Sequence, residues 1–154
     1  MSEVLKRKQG ISEMEFYRNA DNLRTELSAF LMREKVVPSK WRHLITDRAL
    51  DHIEDMMEYM HDANDIFPFD PDELKERKRL QQCCISCCHK IGEVMQNAIR
   101  NVWWETLHAT NDKGEPTAKR LNLEFHLSEI SRMLEFEETL LNGWKKSSRL
   151  MKKH

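Results

Sequence analysis

Apolar residues recur at spacings of three and four along four separate segments of this sequence. That spacing places them on one face of an α-helix, which completes a turn about every 3.6 residues. Each segment therefore predicts an amphipathic helix with one face buried in a core. The four predicted inward faces are Phe16, Ala20, Leu23, Leu27 and Phe30; Ile45, Ala49, Ile53, Met56, Met60 and Ala63; Leu80, Cys84, Cys87, Ile91, Val94, Ala98 and Val102; and Leu123, Leu127, Ile130, Leu134, Leu141 and Trp144.

Helix-breaking residues separate the four segments. Pro38 disfavours helix in the residue before it, so we predict a first helix over residues 13–34 and a second from residue 39 or 41 to 63. Asp70, Pro71 and Glu73 combine an N-cap, a first-turn proline and a capping box, which predicts a third helix from Pro71 to about residue 107. The turn-forming residues of segment 110–117 precede a fourth helix, predicted from residue 118 or 119 to about 150.

Short connections make neighbouring helices antiparallel. The composition favours helices as well, since Gly and Pro number only 4 each and aromatic residues make up 8%. We therefore predict an all-α fold, an antiparallel up-down-up-down four-helix bundle. We expect one domain over residues 1–154, with segments 1–12 and 150–154 flexible.

No apolar stretch approaches the roughly 20 residues that span a bilayer, and the first ten residues lack the apolar run of a secretory signal. Four cysteines lie within residues 83–88, too close together to cross-link distant parts of a secreted fold. These features favour a reduced compartment, and we expect the protein to be cytoplasmic.

The net charge is only −1, but the charges are unevenly distributed along the chain. Segment 47–73 holds ten acidic residues and one basic residue, Arg48, which gives a net charge of −9. Segment 142–154 holds five cations and no acid, a net charge of +5. This pattern is typical of an acidic surface that meets a basic partner and a basic surface that meets a polyanion, and also of two solvated helix faces.

Two patterns contain residue types that bind metal ions in proteins. Glu58 and His61 have the E-x-x-H spacing of carboxylate-bridged di-iron bundles, although a second such motif is missing and Glu58 lies off the inward face. Cys83, Cys84, Cys87 and Cys88, followed by His89, offer the sulfur and nitrogen ligands of zinc; alternatively, they pack as small apolar residues between helices. We favour packing and expect no metal and no cofactor.

Sequence motifs of common catalytic sites are missing from the chain. It contains no G-x-G-x-x-G, Walker loop or G-x-S-x-G, and its seven histidines have no recognisable nucleophile beside them. We expect a binding protein without catalytic residues rather than an enzyme.

Two clusters of cations are predicted to lie together, because the fourth helix of an antiparallel bundle returns towards the start of the third. Together they form a predicted nucleic-acid-binding surface whose affinity falls steeply with salt. The clusters are Lys75, Arg77, Lys78 and Arg79, and Lys145, Lys146, Arg149, Lys152 and Lys153.

Three short segments carry a resemblance to a known family: VPSKWR at residues 37–42, DAN at 62–64 and LLNGWKKS at 140–147. They resemble the four-helix-bundle accessory proteins of diversity-generating retroelements, the accessory variability determinant family. The resemblance spans most of the chain up to Ser147, and GWKKS is its most specific part. The family's proteins are markedly basic, whereas this chain is close to neutral.

The resemblance implies a non-enzymatic protein that forms a pentameric ring, binds a reverse transcriptase and its template RNA, and supports mutagenic copying into a variable gene. Lys145, Lys146 and Arg149 would belong to its basic surface. One alternative is a stand-alone helical-bundle adaptor that binds proteins without nucleic acid, its basic tail pairing with the acidic second helix of a neighbour. Another is a ferritin-like bundle that binds metal through Glu58, His61 and the cysteines.

Overall fold

The computed structural model describes residues 10–152, so the predictions for residues 1–9, Lys153 and residue 154 lie outside the described part. The chain forms four long helices: α1 (Glu15–Leu31), α2 (Thr46–Asn64), α3 (Pro71–Asn101) and α4 (Ala118–Ser147). A 3-10 turn, Ile11–Glu13, precedes α1, and single-turn helices occupy Ser39–Arg42 and Trp104–Leu107. The described chain contains no strand beyond an isolated bridge between Thr110 and Pro116, so the all-α prediction is confirmed.

The four long helices pack as an antiparallel bundle in which α1 and α3 each contact both α2 and α4. Phe16, near the start of α1, stacks on Trp144 near the end of α4, with ring centroids 4.1 Å apart. At the other end, Phe30 stacks on His126. These contacts show that α1 and α4 run antiparallel. The end of α1 also meets the start of α2, the end of α2 meets the start of α3, and the start of α3 meets the end of α4, so the up-down-up-down order is confirmed. Within residues 10–152, no helix is both long and apolar enough to cross a bilayer.

The inward faces predicted for α1 and α2 are buried in full, including Ile45 immediately before α2. On α3 the predicted face is buried from Leu80 to Ala98, and Val102 is half-buried just after the helix. Ile11, in a segment predicted to be flexible, is buried against the same core. The predicted core therefore matches the observed one over the first three helices.

The predicted capping box begins α3. The Asp70 side chain accepts a hydrogen bond from the Glu73 backbone N–H at 2.8 Å, and the Glu73 carboxylate accepts one from the Asp70 backbone N–H at 3.1 Å. In the predicted 110–117 loop, the Asn111 side chain accepts from two backbone N–H groups, and Gly114 adopts a φ of 78°, which glycine permits. Both local predictions from turn and cap chemistry are confirmed.

The second predicted helix is interrupted at residues 43–45. The buried Thr46 hydroxyl donates to the Leu31 carbonyl at 2.7 Å, which ties the start of α2 to the end of α1. This bond satisfies a carbonyl at the end of α1 that has no partner within the helix. A one-turn helix and a separate α2 thus replace the continuous helix from residue 39 or 41.

The third predicted helix ends six residues early, at Asn101 instead of about residue 107. Trp103 turns inward, is only 3% exposed, and donates its indole N–H to the Val36 carbonyl at 2.7 Å. Its ring lies 5.7 Å from that of Phe30. Burial of this indole favours the break over continuation of the helix. The 31 residues of α3 span about 46 Å.

Candidate nucleic-acid interface

Side-chain contacts join the start of α3 to the end of α4. The Gln81 amide donates to the Ser148 hydroxyl at 2.8 Å, and the Lys145 ammonium donates to the Gln82 side-chain carbonyl at 2.8 Å. The Met151 backbone N–H donates to the Pro68 carbonyl at 2.8 Å, so the tail also returns to this end. The two cation clusters singled out in the sequence therefore lie at one end of the bundle.

Arg77 occupies the interior of this end and is 8% exposed. Its guanidinium donates to the carbonyls of Ala63 and Ile66, at 3.1 and 2.9 Å, and to the Ser148 hydroxyl at 3.3 Å. The same group lies over the Trp144 ring, 5.5 Å from its centroid. Arg77 thus holds the end of α2 against α4, and this placement removes it from the cations that face solvent.

Arg79 is exposed, but an acid of the same helix pairs with it. Its guanidinium forms two hydrogen bonds to the Glu76 carboxylate, at 2.7 and 2.9 Å, and lies 3.9 Å from the Cys83 sulfur. The hydrogen bonds that Arg79 donates to Glu76, followed by the negative charge of Glu76, raise the pKa of Arg79 above its ordinary value. Glu76 therefore offsets the charge that Arg79 was predicted to contribute.

The remaining predicted cations form what we call the basic end surface. Lys78 precedes Gln82 by one helical turn and Lys75 precedes Lys78 by three residues, so both share the face of α3 that meets Lys145. The surface is partly offset by acids at the start of α3, where Asp72 and Glu73 occupy the first turn. Lys153 lies outside the described residues. The basic end surface consists of Lys75, Lys78, Lys145, Lys146, Arg149 and Lys152.

The outward face of α2 carries the opposite charge along its whole length. Arg24 of α1 pairs with Glu54 at 3.2 Å, and His43 lies 3.6 Å from Asp47. The exposed acids on this face are Asp47, Asp51, Glu54, Asp55, Glu58 and Asp62. The charge separation seen in the sequence is therefore also a separation in space, between one face of α2 and one end of the bundle.

The cysteine cluster packs in the core. Cys84, Cys87 and Cys88 are buried, and Cys83 is half-buried. The Cys84 thiol lies 3.6 Å from the Met56 carbonyl, and burial raises the pKa of Cys84 and Cys88 far above the ordinary range and that of Cys87 to about 11. These thiols therefore stay protonated at neutral pH, which disfavours both metal ligation and nucleophilic attack.

The residues considered for a di-iron site lie on the surface. Glu58 and His61 are both exposed, and His61 packs edge-on against the Tyr17 ring with its Nε2 atom 3.3 Å from the Tyr17 hydroxyl. Among residues 10–152, no group of three or more His, Cys, Asp and Glu side chains is arranged to hold a metal ion.

Glu137 is a buried carboxyl that the sequence analysis did not find. It lies about two thirds of the way along α4 with an exposure of 0%, and its Oε1 atom accepts a hydrogen bond from the Asn19 amide at 3.2 Å. The same amide donates to the Met133 carbonyl at 3.0 Å, whereas Oε2 has no hydrogen-bond partner among the described residues. Burial raises the pKa of Glu137 to about 8, although the hydrogen bond from Asn19 acts to lower it. The carboxyl is therefore mostly neutral at pH 7.

The burial of Glu137 also shows that the inward face predicted for α4 was partly wrong. The buried residues are Leu123, Ile130, Met133, Glu137 and Leu141, whereas the predicted core residues Leu127, Leu134 and Trp144 are half-buried. Met133 and Glu137 share this face because they are four residues apart. Asn19 of α1 donates a hydrogen bond to the buried Glu137 carboxyl, and no pattern in the sequence indicates that these two residues pair.

Comparisons with models of known protein families, with curated proteins and with solved structures found no match to this chain.

Proposed function

We propose that this chain is a non-enzymatic accessory protein that oligomerises and binds a reverse transcriptase together with its template RNA, as in a diversity-generating retroelement. The observation that carries the proposal is the meeting of α3 and α4, which gathers six cations into the basic end surface. The GWKKS segment that carries the family resemblance supplies two of them, Lys145 and Lys146.

In this proposal the phosphates of the RNA contact the basic end surface. Lysine and arginine neutralise phosphates and release condensed counterions, so affinity falls as salt rises. The long side chains of Lys146, Arg149 and Lys152 are exposed and can follow an irregular backbone. Such contacts bind the phosphate backbone and do not depend on base sequence.

Two further surfaces of the chain would bind protein partners in this proposal. Leu121, Phe125 and Phe136 of α4 are exposed, Phe125 by 62%, and fall within about 60° of one another around the helix axis. Exposed apolar side chains on one side of a helix suit protein contacts, here contacts between copies of the chain, although Phe136 lies about 16 Å along the axis from Phe125. The acidic face of α2 suits a basic protein such as a reverse transcriptase.

A titration with a structured RNA at several salt concentrations tests the RNA contact. Replacing Lys145, Lys146 and Arg149 together by Gln should weaken binding and reduce its salt dependence, because three phosphate contacts are lost. The matched control replaces Arg33, Lys35 and Lys119, at the other end of the bundle, by Gln. It changes the net charge of the chain by the same amount as the first variant. Equal weakening by both variants would show that only overall charge matters and would contradict a defined surface.

The stand-alone adaptor is a second candidate, supported by the separation of the acidic α2 face from the basic end surface. In that case the two surfaces of neighbouring copies bind each other. The oligomer would then dissociate as salt rises, and the chain would bind no RNA at any salt concentration. Light scattering at low and high salt, with and without RNA, separates the two candidates.

A further inference from the structure

A cavity of about 660 Å³ opens at the end of the bundle opposite to the basic end surface. It lies between the segment that follows α1, the Trp104–Leu107 turn and the beginning of α4. Small-molecule sites usually have volumes of about 300–1,000 Å³, so the cavity is large enough for an organic ligand.

One wall of the cavity is apolar and held in place by contacts that do not depend on a ligand. Phe30, Val36, Trp103 and Leu123 contribute to it. The indole N–H of Trp103 is bound to the Val36 carbonyl at 2.7 Å, and the indole ring packs against Phe30. A ligand would therefore meet a preformed apolar surface, without the entropic cost of ordering it.

The rim of the cavity is positive. Arg33, Lys35 and Lys119 line it, and their side chains make no hydrogen bond or ion pair with any residue between 10 and 152. Glu34 lies between two of them in sequence, but its carboxylate accepts the backbone N–H and the hydroxyl of Ser39, at 3.0 and 2.7 Å. The lining residues of the described chain include three cations and no acid.

We propose that this cavity binds a small organic anion that carries an apolar ring system. The ring rests against Phe30, Trp103 and Leu123, and the phosphate, sulfonate or carboxylate group lies among Arg33, Lys35 and Lys119. Hydrogen bonds from cations to such a group are stronger than bonds between neutral groups. The apolar wall and the cations are both required, so a neutral ring or a bare inorganic anion binds more weakly. This site is separate from the basic end surface and does not depend on the RNA proposal.

Two dyes test the pairing of ring and charge on the full chain. The probes are 8-anilinonaphthalene-1-sulfonate and its uncharged parent 1-anilinonaphthalene, which share a ring system and differ by the sulfonate. Fluorescence and calorimetric titrations should give one sulfonate dye per chain, bound more tightly than the neutral dye. Replacing Arg33, Lys35 and Lys119 together by Gln should weaken the sulfonate dye about tenfold or more and leave the neutral dye nearly unchanged.

Two further variants complete the test. Replacing Arg18, Arg48 and Lys90 together by Gln removes the same charge from exposed positions outside both proposed sites and should leave both dyes unaffected. Asn122→Trp adds an indole to the exposed lining without changing charge and should weaken both dyes. The proposal would be overturned if the cavity variants bound the sulfonate dye as tightly as the wild-type chain does. It would also be overturned if the two triple variants lost equal affinity for this dye, or if each chain bound several dye molecules. Unchanged circular dichroism spectra establish that each variant is folded.

Discussion

Replacing Glu137 by Gln should remove a decline in stability that the wild-type chain undergoes as pH rises. The pKa of this buried carboxyl is raised to about 8, against an ordinary value of 4.5 in the unfolded chain. Because the pKa is higher in the folded chain than in the unfolded chain, proton binding by Glu137 stabilises the fold. This contribution to the free energy of unfolding is fully present below pH 4.5 and is lost as pH rises towards 8. The loss amounts to about 1.4 kcal/mol per pH unit, or about 4 kcal/mol between pH 5 and pH 8.

Glutamine has the shape of the neutral carboxyl and keeps an oxygen that accepts the Asn19 amide hydrogen bond, but it does not ionise. The difference in unfolding free energy between variant and wild type should therefore be small near pH 5 and reach about 4 kcal/mol in favour of the variant at pH 8. That is a large part of the roughly 5–15 kcal/mol that stabilises a typical domain. Other titrating groups cancel in this difference.

Urea unfolding followed by far-ultraviolet circular dichroism, repeated from pH 5 to pH 8, measures the effect. Glu135→Gln is the matched control, because Glu135 lies on the same helix with its side chain exposed. The control should follow the wild-type curve. Parallel curves for Glu137→Gln and wild type would refute the reasoning, since they would mean that Glu137 ionises in the folded chain as it does in water.

Three other changes test the contacts described above. Arg77→Met should lower the unfolding free energy by about 2–4 kcal/mol, because it removes hydrogen bonds to the Ala63 and Ile66 carbonyls; a midpoint equal to that of wild type in urea would contradict this role. Trp103→Phe keeps an aromatic ring but loses the hydrogen bond to the carbonyl of residue 36, so thermal unfolding should report a loss of about 1–2 kcal/mol. In the native chain, a thiol reagent should modify Cys83 quickly and the other three cysteines only as fast as the chain opens, and rapid modification of all four would show that the cluster is not buried.

Much of the fold follows from the sequence because periodicity and cap chemistry are local. A residue such as Leu27 or Ile53 is placed inward by its own helix, whatever the neighbouring helices are. Asp70 and Glu73 begin α3 through hydrogen bonds between residues three apart. Predictions of this kind need no knowledge of which helix packs against which. They were confirmed for the inward faces of α1 and α2 and for the start of α3, whereas on α4 periodicity alone placed Leu127, Leu134 and Trp144 too far inward.

The sequence did not predict which polar or aromatic residues are buried by contacts with distant segments of the chain. Glu137 is buried through Asn19, 118 residues away, and Trp103 turns inward towards Val36, 67 residues away. Arg77 looked like its basic neighbours Lys78 and Arg79, but its partners are carbonyls at the end of α2. Neither periodicity nor local charge distinguishes a buried polar residue from an exposed one, because its partner lies elsewhere in the chain.

The recovery of the tagged protein from its native host tests the central claim most directly, with bound protein and RNA identified at low and high salt. The account predicts a reverse transcriptase and a discrete structured RNA at low salt, and loss of the RNA at high salt. Replacing Lys145, Lys146 and Arg149 by Gln should reduce the recovered RNA relative to the wild-type chain. Recovery of the homo-oligomer alone, with neither a reverse transcriptase nor RNA at low salt, would contradict the account.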